Sequence, residues 1–99
     1  MKNFRTYQLA KELNKQGQAL KLKAPYRDQF QRALLSIALN LAEGSAKSSN
    51  NDRRRFYEIA LGSLCETQAL IDILELKELE KLADQLGANL FNLCRSLSH

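Results

Sequence analysis

The chain has 99 residues, 44% of them hydrophobic and 26% charged, and its 15 Lys and Arg outweigh 11 Asp and Glu for a net charge of +4. That length holds one small domain, residues 1–99, with a modest core, so its stability is expected to draw on assembly. No apolar run reaches the ~18 residues of a membrane crossing, and the opening MKNFRTYQLAKELNK carries charges where a signal peptide needs an apolar stretch, so no membrane contact and a cytoplasmic location are expected.

One Pro, four Gly and the absence of alternating Val, Thr and aromatic segments predict an all-α chain. The first helix is expected from Asn3 to Leu22, with Phe4, Leu9, Leu13 and Leu20 inward and Gly17 a weak point or a site of close approach. Lys23, Ala24 and Pro25 break it. The second helix starts at Pro25, which has no N–H to satisfy in a first turn, and runs to Glu43 with Gly44 as its C-terminal cap. Ser49 is placed as N-cap of the third helix, with Asp52 completing a capping-box-like pair, and that helix extends to about Leu76. The fourth runs from Lys77 or Glu78 to Leu97, where Leu79, Leu82, Leu86, Leu90, Leu93 and Leu97 form one narrow seam. Connections this short turn each helix back on its predecessor, which predicts an antiparallel up-down-up-down four-helix bundle.

The second helix is unusual because it is apolar on two sides. Phe30, Ala33, Leu34, Ile37, Leu41 and Gly44 share the bundle-facing side, while Leu35, Leu39, Ala42 and Ala46 fall where a solvated helix shows Lys and Glu. Between them runs a polar strip of Gln29, Arg32, Ser36, Asn40, Glu43 and Lys47, residues three and four apart. On the third helix Phe56, Ile59, Ala60, Ser63, Thr67, Leu70 and Leu74 are expected to face inward, with Tyr57, Leu61, Leu64 and Ile71 widening the apolar surface sideways. Gly62, Ser63 and Ala69 keep that helix thin enough for a neighbouring backbone. Leu35, Leu39, Ala42, Tyr57, Leu61 and Leu64 are therefore the expected contact with further copies of the chain, a homo-oligomer.

Antiparallel register sets Glu43 opposite Arg53 to Arg55, and Glu66 near Gln29 and Arg32. The polar stripe of Arg32, Ser36, Asn40, Glu43, Ser63 and Glu66 is expected to fix register and assembly, the best-attested use of polar groups at a helix seam. Catalysis is not expected: the only histidine is His99, so neither a metal-ligand set nor the Glu-x-x-His pairs of di-iron bundles can be assembled, and no cofactor is implied. Cys65 and Cys94, which form no CxxC motif, are expected to be buried, reduced thiols.

Charge is divided along the chain. Residues 1–55 hold 12 Lys and Arg against 4 Asp and Glu, and residues 56–99 hold 3 against 7. Lys47, Arg53, Arg54 and Arg55 gather at the second loop, and Lys21, Lys23, Arg27 and Arg32 at the first, opposite ends of an up-down bundle. Either patch, repeated around an oligomer, suits phosphates, although opposite halves pairing with each other is an equal reading of the same division. No sequence-reading element such as a helix-turn-helix or zinc finger is evident.

The segment RALLSIALNLAEGSAKSSNNDRRRFYEIALGSLCETQALIDI, Arg32 to Ile73, resembles the bacterial four-helix-bundle family of ribosomal RNA intervening-sequence proteins, which also includes the accessory variability proteins of diversity-generating retroelements. The motifs are RA-x-x-SI-x-x-N-x-AEG on the second helix and RF-x-x-IA-x-GSL-x-E on the third. The resemblance implies a ring-like pentamer, and for the retroelement branch a reverse transcriptase and nucleic acid as partners. Two functions are thus expected in competition: a non-enzymatic oligomer that binds structured RNA or DNA through basic loop ends, or an oligomeric scaffold that binds another protein and no nucleic acid.

Overall fold

A computed structural model describes residues 4–97, and its four helices are α1 (Arg5–Gln18), α2 (Tyr26–Ser45), α3 (Asn50–Ile73) and α4 (Glu80–Ser96), with a 3-10 turn at Lys77–Leu79 leading into α4. Each helix packs on its chain neighbours and α1 closes on α4, with no close backbone approach between α1 and α3 or between α2 and α4 among the described residues, so the four run up-down-up-down around one core. The bundle measures 40 × 22 × 19 Å. The expected first-helix start at Asn3, and His99, lie outside the described residues.

The core is built from Leu9 and Leu13 of α1, Phe30, Leu34, Ile37 and Leu41 of α2, Tyr57, Ala60, Leu64 and Ile71 of α3, and Leu79, Ala83, Leu86 and Leu90 at and within α4. Burying each large apolar side chain contributes about 1.5–3 kcal/mol, offset by the entropy of ordering it. Of the fourth-helix seam, Leu79, Leu86 and Leu90 are buried, and Leu82, Leu93 and Leu97 pack partly buried against them. Every inward residue expected on the second helix is buried.

The third helix is turned from its expected orientation. Ile59 is 46% exposed, Phe56, Ser63 and Leu74 are half-buried, and the buried face is Tyr57, Ala60, Leu64, Thr67, Leu70 and Ile71. Apolar residues nearly encircle α3, so periodicity does not select a face; packing against α4 as well as α2 does. Cys65 corrects a second expectation: it falls on the outward side and is exposed, while Cys94 is buried. Burial raises the Cys94 thiol pKa, reinforced by Glu58 and opposed by Arg54.

Two glycines work by closeness. A Cβ on Gly17 would collide with Leu34 Cδ1 and stand 3.0 Å from Phe30 Cε2, so Gly17 lets α1 lie against α2. Gly44 does not end its helix as expected: α2 continues through Ser45, Ala46 caps it in right-handed conformation, and the missing side chain makes room for the Tyr57 ring. At the far end, α3 closes in a Schellman arrangement, Leu76 N–H donating to the Ile71 carbonyl at 2.9 Å and Glu75 N–H to the Asp72 carbonyl at 3.2 Å. The left-handed residue there is Glu75, φ 56°.

Candidate nucleic-acid interface

Ser49 stands extended before α3 and its hydroxyl accepts from the Asp52 N–H at 3.1 Å, the expected N-cap. This cap starts α3 so that Arg53, Arg54 and Arg55 project within its first turns. The antiparallel register brings the N-terminus of α1 and the C-terminus of α4 to the same end. Among the described residues, Arg5, Lys47, Arg53, Arg54, Arg55 and Arg95 therefore gather there with Glu43, Asp52 and Glu58 as the carboxylates nearby.

The cations are held differently. Arg54 Nε meets Glu58 Oε2 at 3.1 Å, and Arg55 Nη2 lies 3.9 Å from Asp52 Oδ1. Arg53 Nε donates to the Lys47 carbonyl at 2.7 Å, and no carboxylate lies within ion-pair distance of it among the described residues. Lys47 Nζ pairs with Glu43 Oε2 at 3.1 Å and stands 5.2 Å from the Phe56 ring centroid, with the Arg55 guanidinium 4.7 Å from the same centroid. Phe56 thus holds two cations in place. The expected contact of Glu43 with Arg53 to Arg55 is not made: because α2 runs on past Gly44, Lys47 comes round on the same strip one turn later and takes the carboxylate.

The opposite end is chemically mixed. Lys21, Lys23 and Arg27 lie there, but Asp28 pairs with Arg27 at 3.2 Å, and Asp72, Glu75, Glu78, Glu80 and Asp84 occupy the adjoining α3–α4 corner. Two small cavities at that corner, about 200 and 150 Å³, are lined by Asp72 and Glu80. At this end Lys21, Lys23, Arg27, Lys77 and Lys81 stand with six carboxylates, whereas at the α2–α3 loop end cations outnumber carboxylates among the described residues, so the two basic patches are not equivalent.

The polar stripe joins α2 to α3 along its middle. Ser36 and Ser63 hydroxyls lie 2.7 Å apart, Asn40 Nδ2 donates to the Ser36 carbonyl at 2.8 Å and to its hydroxyl at 3.1 Å, and Gln29 Nε2 donates to Glu66 at 3.3 Å. Arg32 forms no ion pair with Glu66 among the described residues. Of the residues expected to meet another copy, Leu35 and Leu39 are 48% and 58% exposed, and Ala42 and Leu61 are half-buried. Tyr57 and Leu64 are core residues instead, withdrawn by the rotation of α3.

Sequence reasoning missed the part played by aromatic side chains at the basic end. Phe56 adjoins the RRR run but meets Lys47 across the loop, and Phe4 and Tyr57 come together, centroids 6.1 Å apart, from distant points of the chain. Only an aromatic placed directly beside a basic run signalled this. Among the described residues no group of three or more His, Cys, Asp or Glu could hold a metal ion, and no helix is long and apolar enough to cross a membrane.

A family model described as 23S rRNA-intervening sequence protein matches residues 2–99. No curated protein matches the chain.

Proposed function

The chain belongs to the 23S rRNA-intervening sequence protein family, and from that premise we propose that it is a non-enzymatic, cytoplasmic homo-oligomer, a pentamer by resemblance, that associates with structured RNA through the α2–α3 loop end. The observation that carries this reading is the gathering, among the described residues, of six cations with three carboxylates at that end, against the acidic corner opposite. Three cations in the first turns of a helix oppose its dipole, a local cost that a phosphate chain offsets. Symmetry multiplies the patch, so modest charge per subunit gives strong, salt-sensitive binding.

The test is a mobility-shift titration of structured RNA and duplex DNA over a salt series, with light scattering on the same samples. The apparent affinity should fall steeply with salt, and Arg53/Arg54/Arg55→Ala should flatten that slope by up to about 0.9 for each phosphate no longer neutralised. Absence of a shift at low salt, or one unchanged in the triple variant, refutes RNA association; a stable monomer refutes the oligomer.

A second reading is a scaffold that binds another protein and no nucleic acid, favoured by the exposure of Leu35, Leu39 and Ile59 on the outer side of the α2–α3 pair. An accessory role beside a reverse transcriptase is the finer form of the first reading, and it rests on the resemblance of the α2 and α3 motifs to the retroelement accessory proteins.

A further inference from the structure

At the basic end a cleft of about 320 Å³ opens between the start of α1 and the α2–α3 loop, lined by Phe4, Ser45, Arg53 and Tyr57. Its size lies at the small end of ligand clefts, roughly 300–1,000 Å³. Contacts brace its walls. Tyr57 is buried against Gly44, Phe4 leans on Tyr57 with ring planes 53° apart, and Arg53 is tied by its Nε to the Lys47 carbonyl.

Arg53 differs from its neighbours in a way that matters for binding. Arg54 and Arg55 have Glu58 and Asp52 beside them, whereas Arg53 is half-buried with no carboxylate in reach among the described residues. A guanidinium carries five N–H donors, and the single bond from Nε leaves the outer edge of the fork for a bidentate anion. A positioned cation beside an aromatic ring is the pairing that proteins use to hold a phosphate and stack the base attached to it. The cavities at the other end, both walled by Asp72 and Glu80 and one also by Lys77, present more carboxylates than cations to the same ligand.

We propose that this cleft holds one unpaired nucleotide of an RNA strand, its phosphate on Arg53 and its base against Phe4. The nucleotide must be unpaired because a base inside a duplex has no free face to offer. This rests on the RNA association argued above and adds a preference to it: the ring of cations binds the stem by charge, and the cleft reads a single-stranded end or bulge.

The experiment is a fluorescence-anisotropy titration with two RNAs sharing one stem, one blunt and one with a short unpaired 3′ overhang. The wild-type protein should prefer the overhang by about tenfold, a modest stacking contribution. Arg53→Gln and Phe4→Leu should each bring the ratio to about twofold or less, Phe4→Leu leaving blunt-stem affinity nearly unchanged and Arg53→Gln also weakening the stem, whereas Arg54→Gln should weaken both RNAs in parallel and keep the ratio. Because Arg53 also secures the loop, Phe4→Leu carries the test should Arg53→Gln unfold in urea at a lower midpoint. A wild-type ratio near one with the stem still bound overturns the nucleotide site and leaves RNA association standing. Failure to bind either RNA at low salt overturns both. Saturation by free AMP, without overhang preference, overturns the strand assignment and gives the cleft to free nucleotides.

Discussion

Tyr57 packs directly on the backbone of Gly44, so that a Cβ at position 44 would stand 2.7 Å from Cε1 and 2.9 Å from Cδ1 of the ring, with Phe56 Cβ at 3.0 Å. The packing clamps the end of α2 to the start of α3 and sets the wall of the cleft beside Arg53. Gly44→Ala gains helix propensity but forces a buried ring to move, and a net loss of about 1–2 kcal/mol is expected. Gly62→Ala, where no atom lies within 4 Å, should instead stabilise the bundle by about 0.5–1 kcal/mol. Urea unfolding followed by circular dichroism distinguishes the two, and equal signs would contradict the packing described.

The Ser36–Ser63 bond at 2.7 Å lies on the half-buried seam between α2 and α3. Ser63→Ala should cost about 0.5–1.5 kcal/mol. Ser36→Ala/Ser63→Ala should cost less than the sum of the single changes, because the second removal no longer breaks a bond. A double-mutant cycle in urea measures the coupling, and additivity would show that the hydroxyls do not interact.

Glu75 occupies the left-handed position of the α3 Schellman closure, where an L side chain is strained by roughly 1–2 kcal/mol. Glu75→Gly relieves that strain at some cost in chain entropy, so a stabilisation of about 1 kcal/mol and a higher melting temperature are expected. An unchanged or lower melting temperature would count against the closure.

Burial holds the Tyr57 phenol above its ordinary pKa of 10.0, with Arg53 opposing and Cys94 reinforcing, and burial likewise raises Cys94 above 9.0. Both groups keep their protons longer in the folded chain than in the unfolded one. Their contribution is complete below pH 9.0 and is lost as pH rises through the ordinary values toward the raised ones. Melting temperature should fall on the alkaline side, and Tyr57→Phe should shed part of that fall. A flat profile between neutral pH and the phenol range would contradict the burial of both groups.

Leu35→Glu/Leu39→Glu should leave the folded subunit intact, since both side chains point away from the core, and should abolish the assembly proposed above. Light scattering with circular dichroism reads both properties, and an oligomer unaffected by the pair would move the interface elsewhere.

Much of this fold was legible in local pattern. The Ser49 cap, the leucine seam of α4 and the inward face of α2 follow from spacing, because each depends on residues within a few positions of one another. The facing of α3 was not legible: with Ile59, Ala60 and Leu61 about 100° apart around the helix, apolar residues lie on several sides, and only packing against both neighbouring helices chooses among them. The partner of Glu43 depended on whether α2 stopped at Gly44 or passed it. That in turn depended on Tyr57, more than a helical turn into another element.

By itself the sequence determined four helices, their antiparallel order, the polar stripe on α2 and the concentration of cations in its first half, since these follow from period, capping chemistry and composition. Tertiary structure alone decided that Gly44 is a seat for Tyr57 and not a cap, that the first basic patch is shadowed by acidic residues from α3 and α4, and that Arg53 stands in a cleft with Phe4. The reason is physical: hydrogen-bond caps and hydrophobic period act over one turn, whereas the surroundings of a charge or a ring are set by whichever distant segments the packed core carries to it.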